Sequence, residues 1–157
     1  MKASAIYAGA SNPVDLCENC AMTSLLLGID IGTTAAKAVL VTPGGQVVSE
    51  GRAQYLTEHL AINWVEQNPE EWWRALCSAT LEAIAKTPNV NILGVAISSQ
   101  APTFLAVDSN GIPLRPALIW MDRRAEKEAQ ELANKFPNIS ELTGNRSDPY
   151  YVAAKIL

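Results

Sequence analysis

Between residues 28 and 34 the chain reads Gly-Ile-Asp-Ile-Gly-Thr-Thr, an aspartate bracketed by glycines and followed by two hydroxyl side chains. A tight turn at Gly32-Thr33-Thr34 lets backbone N–H groups approach an anion without Cβ interference, and the threonines add hydroxyl donors. Such a turn suits a phosphate. Asp30, at the end of the strand that enters the turn, suits a Mg²⁺ held largely through water, because magnesium keeps several waters and takes one or two carboxylates beside phosphate oxygens. Each charge-assisted hydrogen bond to the anion contributes about 1.5–3 kcal/mol. The plainer reading of the same residues is a hairpin whose aspartate caps its own turn. A Walker A loop is excluded, since it needs Lys-Ser/Thr before a helix, and a dinucleotide fingerprint also needs a helix after its turn. Here a strand follows.

The elements that must position this turn form an antiparallel meander, with strands expected over 25–31, 36–42 and 46–53. Gly32-Thr33-Thr34 and Pro43-Gly44-Gly45 connect them, the glycines free to take positive φ. Connections this short force antiparallel neighbours. Asn68 as N-cap, Pro69 at the first helical position and Glu71 two residues on predict a helix with a capping box. Its core stripe is expected at Trp73, Cys77, Leu81 and Ile84, with Trp72 and Leu76 beside them. Thr87-Pro88-Asn89 ends it. The apolar, β-branched run 92–98 predicts a strand buried on both faces, which delivers Ser98-Ser99-Gln100 to the sheet edge. Strands over 103–107 and 114–120 flank an Asp108-Ser109-Asn110-Gly111 hairpin. A helix over 123–136 carries Ala125, Ala129, Leu132 and Phe136 inward and stops at Pro137. Asp148-Pro149 opens a last helix that runs to Leu157 without a C-cap, so the chain is expected to be a truncated domain over 22–157. Residues 1–21 read as a leader without clear fold.

The composition narrows the class. With 157 residues, 48% of them hydrophobic, one globular unit with a real core is expected. The net charge of −4, with no basic run longer than Arg123-Arg124, offers no footprint for nucleic acid or an anionic membrane. The apolar run 25–29 falls far short of the roughly 18 residues that span a bilayer. Asn12-Pro13, Asp15 and Glu18 interrupt any secretory apolar segment, so a cytoplasmic setting is expected. Cys17 and Cys20 precede the first strand with no second pair, and the only histidine is His59. A zinc site or a redox pair is therefore not expected, and Cys77 reads as core.

The strand-turn-strand with Asp30 and Gly32-Thr33-Thr34 resembles the first phosphate loop of the superfamily of actin, sugar kinases and chaperone ATPases. Later segments narrow the resemblance: Trp64-Val65-Glu66-Gln67-Asn68-Pro69-Glu70-Glu71-Trp72-Trp73, Ser98-Ser99-Gln100, 108–116, Trp120-Met121-Asp122-Arg123-Arg124, and Thr143-Gly144 with Asp148-Pro149-Tyr150. In this order they are similar to the FGGY carbohydrate kinases, xylulokinase-like and glycerol kinase-like. The resemblance implies an α/β, ribonuclease H-like (actin-like ATPase) fold with a mixed sheet and flanking helices. It also implies transfer of the ATP γ-phosphoryl group to a sugar or polyol hydroxyl in a cleft between two domains.

Carried over by position, Asp30 resembles the magnesium-associated carboxylate, Gly32, Thr33 and Thr34 the γ-phosphate loop, and Lys37 a basic residue near the transferred phosphate. Lys37 also reads as an ordinary sheet-surface lysine. Gln100, Ala101 and Pro102 occupy the turn that presents polyol-binding groups in the family. Ala101-Pro102 departs from the Met-His of xylulokinases and the Arg-Glu of glycerol kinases, which leaves the sugar open. Trp120, Asp122, Arg123 and Tyr150 complete the implied substrate side. Against this, Trp120 could end a buried strand, Asp122 cap a helix, Arg123 lie on the surface and Tyr150 pack in a first turn. Arg124 reads as surface, Glu66 and Gln67 as structural residues before the Asn68 cap, and Trp72 and Trp73 as core. No catalytic base is expected within the chain: the implied base, adenosine pocket and C-terminal domain fall beyond Leu157. The sequence leaves a homo-oligomer open. Two other readings stay open: a non-catalytic sugar- or nucleotide-binding fragment, and another ATPase of the superfamily.

Overall fold

Alternating apolar residues carry the chain through three antiparallel strands, β1 (Thr23–Ile31), β2 (Ala35–Val41) and β3 (Val47–Gln54), as expected from the short turns. The structure is a computed structural model that describes residues 22–157; the expected leader with Cys17 and Cys20 lies outside the described residues. Leu25, Leu27 and Ile29 of β1 and Ala38 and Leu40 of β2 are buried in one core layer. Asp30 stands opposite Lys37, and Lys37 opposite Arg52, so these three project together from the other face. Gly45 takes a positive φ of 87° in its turn. Gly32 does not, which corrects the expectation for that glycine.

A hairpin that the sequence reading overlooked follows. Strands β4 (Glu58–Ala61) and β5 (Trp64–Gln67) are antiparallel, with Asn63 at φ 67° in the two-residue connection. Asparagine tolerates that left-handed conformation, which makes Ile62-Asn63 the missed signal. Helix α1 (Pro69–Ala85) starts directly after β5, and the Asn68 side chain accepts the Glu70 N–H at 3.0 Å. The capping box is only half made, because Glu71 pairs with Arg74 instead of reaching back. Asn68→Ala should cost about 1 kcal/mol, checked by the urea midpoint.

The buried stripe of α1 is Ala75, Ala79 and Ala83, with Trp72, Leu76 and Ile84 partly buried against the same core. Trp73 and Leu81 are instead exposed, and Cys77 is half-buried with a free thiol. Close approach explains the difference. Ser49 and Gly51 of β3 lie directly beneath the helix, and the Ser49 hydroxyl donates to the Ala83 carbonyl at 2.8 Å. Bulky residues have no room there, so they rotate outward.

Strand β6 (Val90–Ser99) pairs parallel with β1 and completes the order β3-β2-β1-β6. It is the edge strand, and Leu93, Val95 and Ile97 are exposed, so the expected burial on both faces is not found. Among the described residues nothing covers that face. The strand expected over 114–120 shrinks to β7 (Ala117–Leu118), and 103–107 forms only isolated bridges, because Pro113 and Pro116 interrupt the ladder. β7 joins the hairpin in a second sheet of order β4-β5-β7. Helix α2 (Glu126–Lys135) begins later than expected and leaves Phe136 exposed. Helix α3 (Ile139–Thr143) ends on Gly144 at φ 71°. Helix α4 (Val152–Ile156) is capped at Tyr151 without a side-chain bond, while Asp148 accepts the Tyr150 N–H in the preceding turn. Leu157 follows the last helical residue of α4, and its side chain is exposed. Ala125, Ala129 and Ala154 join α2 to α4. Among the described residues no helix is long and apolar enough to cross a membrane.

Candidate functional site

The turn between β1 and β2 is held by its carbonyl oxygens. The Tyr55 hydroxyl donates to the Gly32 carbonyl, and the Tyr55 N–H donates to the Thr34 carbonyl at 3.3 Å. The Thr33 carbonyl accepts from Gln67 Nε2 at 2.6 Å and from the Thr57 hydroxyl at 3.3 Å. The Thr33 and Thr34 N–H groups, by contrast, have no internal acceptor among the described residues. Burial, together with the charge of Asp30, pushes the Tyr55 hydroxyl up to about 12, so it remains a donor throughout the neutral range. Unpaired backbone donors at a turn that other residues hold in shape are what an anion requires.

Gly32 contributes space at this turn. A Cβ there would lie 3.3 Å from the Ala35 carbonyl oxygen, a tight approach, and 3.7 Å from Asp30 Oδ2, an ordinary contact. Asp30 makes no ion pair among the described residues. No three acidic, histidine or cysteine side chains converge on a metal position among them either, so Asp30 could serve only as a single carboxylate toward a hydrated ion. The donor set therefore fits a phosphate with its magnesium. A groove of about 580 Å³ runs past Gly28, Asp30 and Lys37 to Arg52 and Lys86. It follows the sheet face and the edge of β3 rather than the turn tip.

The end of β6 lies beside this turn, because the Gln100 N–H donates to the Ile31 carbonyl at 2.8 Å. Gln100 Nε2 donates to Gln67 Oε1 at 2.7 Å, whereas Gln100 Oε1 is buried without a hydrogen-bond partner. The Trp120 indole donates to the Thr33 hydroxyl at 3.0 Å, and the Tyr150 hydroxyl reaches the Ala101 carbonyl at 3.4 Å. Asp30, Thr33, Gln100, Trp120 and Tyr150 are thus linked around one end of the main sheet. Ala101 and Pro102 bring only backbone polar groups. Arg123 pairs with Asp148 at 3.1 Å, and Tyr150 and Tyr151 share a small cleft with them.

Asp122 makes none of these contacts. Its carboxylate is fully buried, accepts the Val65 N–H at 2.7 Å and pairs with Arg124 at 2.7 Å. Arg124 is not a surface residue, as the sequence reading had it: it also pairs with Glu66 at 2.8 Å and lies 4.2 Å from the Trp64 ring centroid. Glu66 in turn holds Arg115 at 2.7 Å. This network ties the second sheet to the loop that carries Trp120. Leu157 lines a cleft with Trp64, Arg115 and Arg124, on the side of this network and not of the Gly32-Thr33-Thr34 turn. Sequence reasoning missed Tyr55, Thr57 and the central place of Gln67. The one signal for Gln67 was an uncharged amide at the end of a short strand, directly before the helix cap.

The family model described as "FGGY family of carbohydrate kinases, N-terminal domain" matches residues 25–157. The chain belongs to this family. The gluconokinase of Bacillus subtilis (strain 168) is 35% identical over 137 residues, covering 86% of this chain and 27% of that protein. A crystal structure of a xylulose kinase from Brucella ovis superimposes with a TM-score of 0.80 at 30% identity, covering 84% of this chain and 28% of that one. Plasmodium falciparum glycerol kinase, crystallised with ADP, gives a TM-score of 0.77 at 25% identity over 85% of this chain and 27% of its own. The chain therefore spans little more than a quarter of the length of these FGGY relatives. The mixed sheet and flanking helices are those of the actin-like ATPase fold that they share.

Proposed function

We propose that this chain is the N-terminal part of an ATP-dependent carbohydrate kinase of the cytoplasm, and that it holds the terminal phosphate of ATP against a sugar or polyol hydroxyl. The observation that carries the reading is the turn whose three carbonyl oxygens are pinned while the Thr33 and Thr34 N–H groups stay unpaired. ATP supplies the phosphoryl group and Mg²⁺ neutralises its charge. The Thr33 and Thr34 amides orient the terminal phosphate, Gly32 gives it room, Asp30 holds the hydrated ion and Lys37 adds a positive charge from the neighbouring strand. Gln100, Trp120, Arg123 and Tyr150 form the sugar side, with Ala101 and Pro102 shaping the turn between them. Asp122 positions this side through Arg124. We assign the base that accepts the hydroxyl proton, and the adenosine pocket, to a C-terminal domain beyond Leu157 and outside this sequence.

Coverage of about a quarter of the relatives' length favours a second reading, in which these residues bind sugar or nucleotide without turnover when no further domain is present. Calorimetry with ATP-Mg²⁺ and a panel of pentoses, hexoses and polyols, run beside an ADP-release assay, tests both. Binding with sugar-dependent ADP release supports the kinase, and binding without release supports the second reading. Nucleotide hydrolysis indifferent to every sugar would overturn both. In the same assays Asp30→Asn should weaken ATP-Mg²⁺ binding by about 10- to 100-fold and leave sugar affinity nearly unchanged. Equal nucleotide affinity in the variant would remove Asp30 from the site.

A further inference from the structure

We infer that Gln67 is a positioning residue that fixes the orientation of the Gln100 amide, so that Gln100 Oε1 accepts a hydrogen bond from a substrate hydroxyl, while the same Gln67 amide holds the phosphate turn. The inference deepens the kinase reading above and rests on it for the identity of the ligands.

The argument is one of donors and acceptors. Gln67 is 1% exposed, and its amide is fully used. Nε2 donates to the Thr33 carbonyl at 2.6 Å and to the Thr57 hydroxyl at 2.6 Å, and Oε1 accepts from the Trp72 indole at 2.9 Å and from Gln100 Nε2 at 2.7 Å. A carbonyl on one side and an indole N–H on the other leave this amide only one orientation, since the reverse would set oxygen against oxygen and N–H against N–H. Gln67 therefore presents an acceptor to Gln100, and Gln100 must answer with its Nε2. Its oxygen is then turned the other way, where it is buried and meets no donor among the described residues. A buried acceptor is rarely left so, and the groups that supply donors at this end of the sheet in the proposed reaction are sugar hydroxyls. Ala101 and Pro102 offer no side-chain hydrogen bond beside it, so the buried Gln100 oxygen is the one side-chain acceptor among residues 100–102. Trp72 locks the relay from α1, which accounts for a half-buried tryptophan in the first turn of that helix.

Two substitutions at Gln67 separate its halves. Gln67→Glu keeps an acceptor for Trp72 and Gln100 but sets a second oxygen against the Thr33 carbonyl. Gln67→Met removes both functions. Gln67→Glu is expected to weaken ATP-Mg²⁺ binding about tenfold while sugar affinity stays within about twofold, whereas Gln67→Met and Gln100→Met should each weaken sugar binding about tenfold. Calorimetry on the folded variants reads the split, with folding checked by thermal unfolding. Sugar affinity unchanged in Gln67→Met, or both ligands weakened equally in Gln67→Glu, would overturn the relay. If Gln67→Met fails to fold, the split in Gln67→Glu decides alone. If the parent chain binds no sugar, the kinase reading is what fails, and side-chain amide NMR then judges the relay. The Gln100 amide protons should be shifted and slow to exchange in the parent and in Gln67→Glu, but resemble a free amide in Gln67→Met. Identical Gln100 resonances in all three would refute it.

Discussion

Replacing Asp122 with alanine is expected to destabilise the fold by about 3–5 kcal/mol, measured by urea denaturation, because it strips the partner from a charge that is itself largely buried. The Asp122 side chain is 0% exposed and that of Arg124 15%. Without the carboxylate, Arg124 retains Glu66 as its one ionic partner beside the Trp64 ring, and the Val65 N–H loses its acceptor. Against a total stability of about 5–15 kcal/mol, the change removes at least about a fifth. Asp122→Asn keeps the shape and an acceptor for Val65 and should lose less. The acid limb carries the same signature. Burial alone would raise this carboxyl, but the Arg124 side chain, the Val65 and Arg124 amides and the Arg124 charge together hold it below its ordinary value. The unfolded chain therefore takes up the proton at a higher pH than the folded one. The stabilisation is complete above the ordinary aspartate value of about 4 and is lost as pH falls through the lower, folded value. A stability profile measured from pH 7 downward should bend there in the parent and lack that component in Asp122→Ala.

Gly51→Ala is expected to cost about 3 kcal/mol or more, through a clash that no rotamer relieves. A Cβ at residue 51 would overlap the Ala79 carbonyl oxygen and stand 2.9 Å from both the Ala83 nitrogen and Glu82 Cβ. Two of these are backbone atoms of α1, so the helix must lift from β3 as a unit. Lifting would also break the Ser49 hydrogen bond to Ala83 and loosen the layer in which Ala79 and Ala83 meet Leu27 and Leu40. Thermal unfolding of the variant checks this. A melting temperature within a degree or two of the parent would show that the helix does not press on the strand so closely.

The same close approach marks where sequence reasoning stopped. The β1–β2–β3 meander, the Asn68 cap and the existence of strand β6, though not its parallel pairing with β1, were legible because turn residues and alternation act locally. The inward face of α1 was not, since its contacts are alanines whose burial depends on a serine and a glycine of another strand. Weighing bulk alone pointed to Trp73 and Leu81, which face outward. Asp30 and the Gly32-Thr33-Thr34 turn could be read as chemistry because their pattern is contiguous. Tyr55, Thr57 and Gln67 could not, as the first two reach the turn from the β3–β4 connection and the third from the end of β5, and only the fold unites them. Arg124 was misjudged for a related reason: its partners Asp122, Glu66 and Trp64 converge only when the second sheet forms.

The pinned carbonyls of the Gly32-Thr33-Thr34 turn have a stereochemical corollary. A trans peptide unit is a rigid plate whose oxygen and following hydrogen point in opposite directions. The plate that carries the Gly32 oxygen also carries the Thr33 hydrogen, and the plate of the Thr33 oxygen carries that of Thr34. Tyr55 and Gln67 therefore act as rear handles: by gripping two oxygens from the protein side, they aim two hydrogens outward without touching whatever those hydrogens meet.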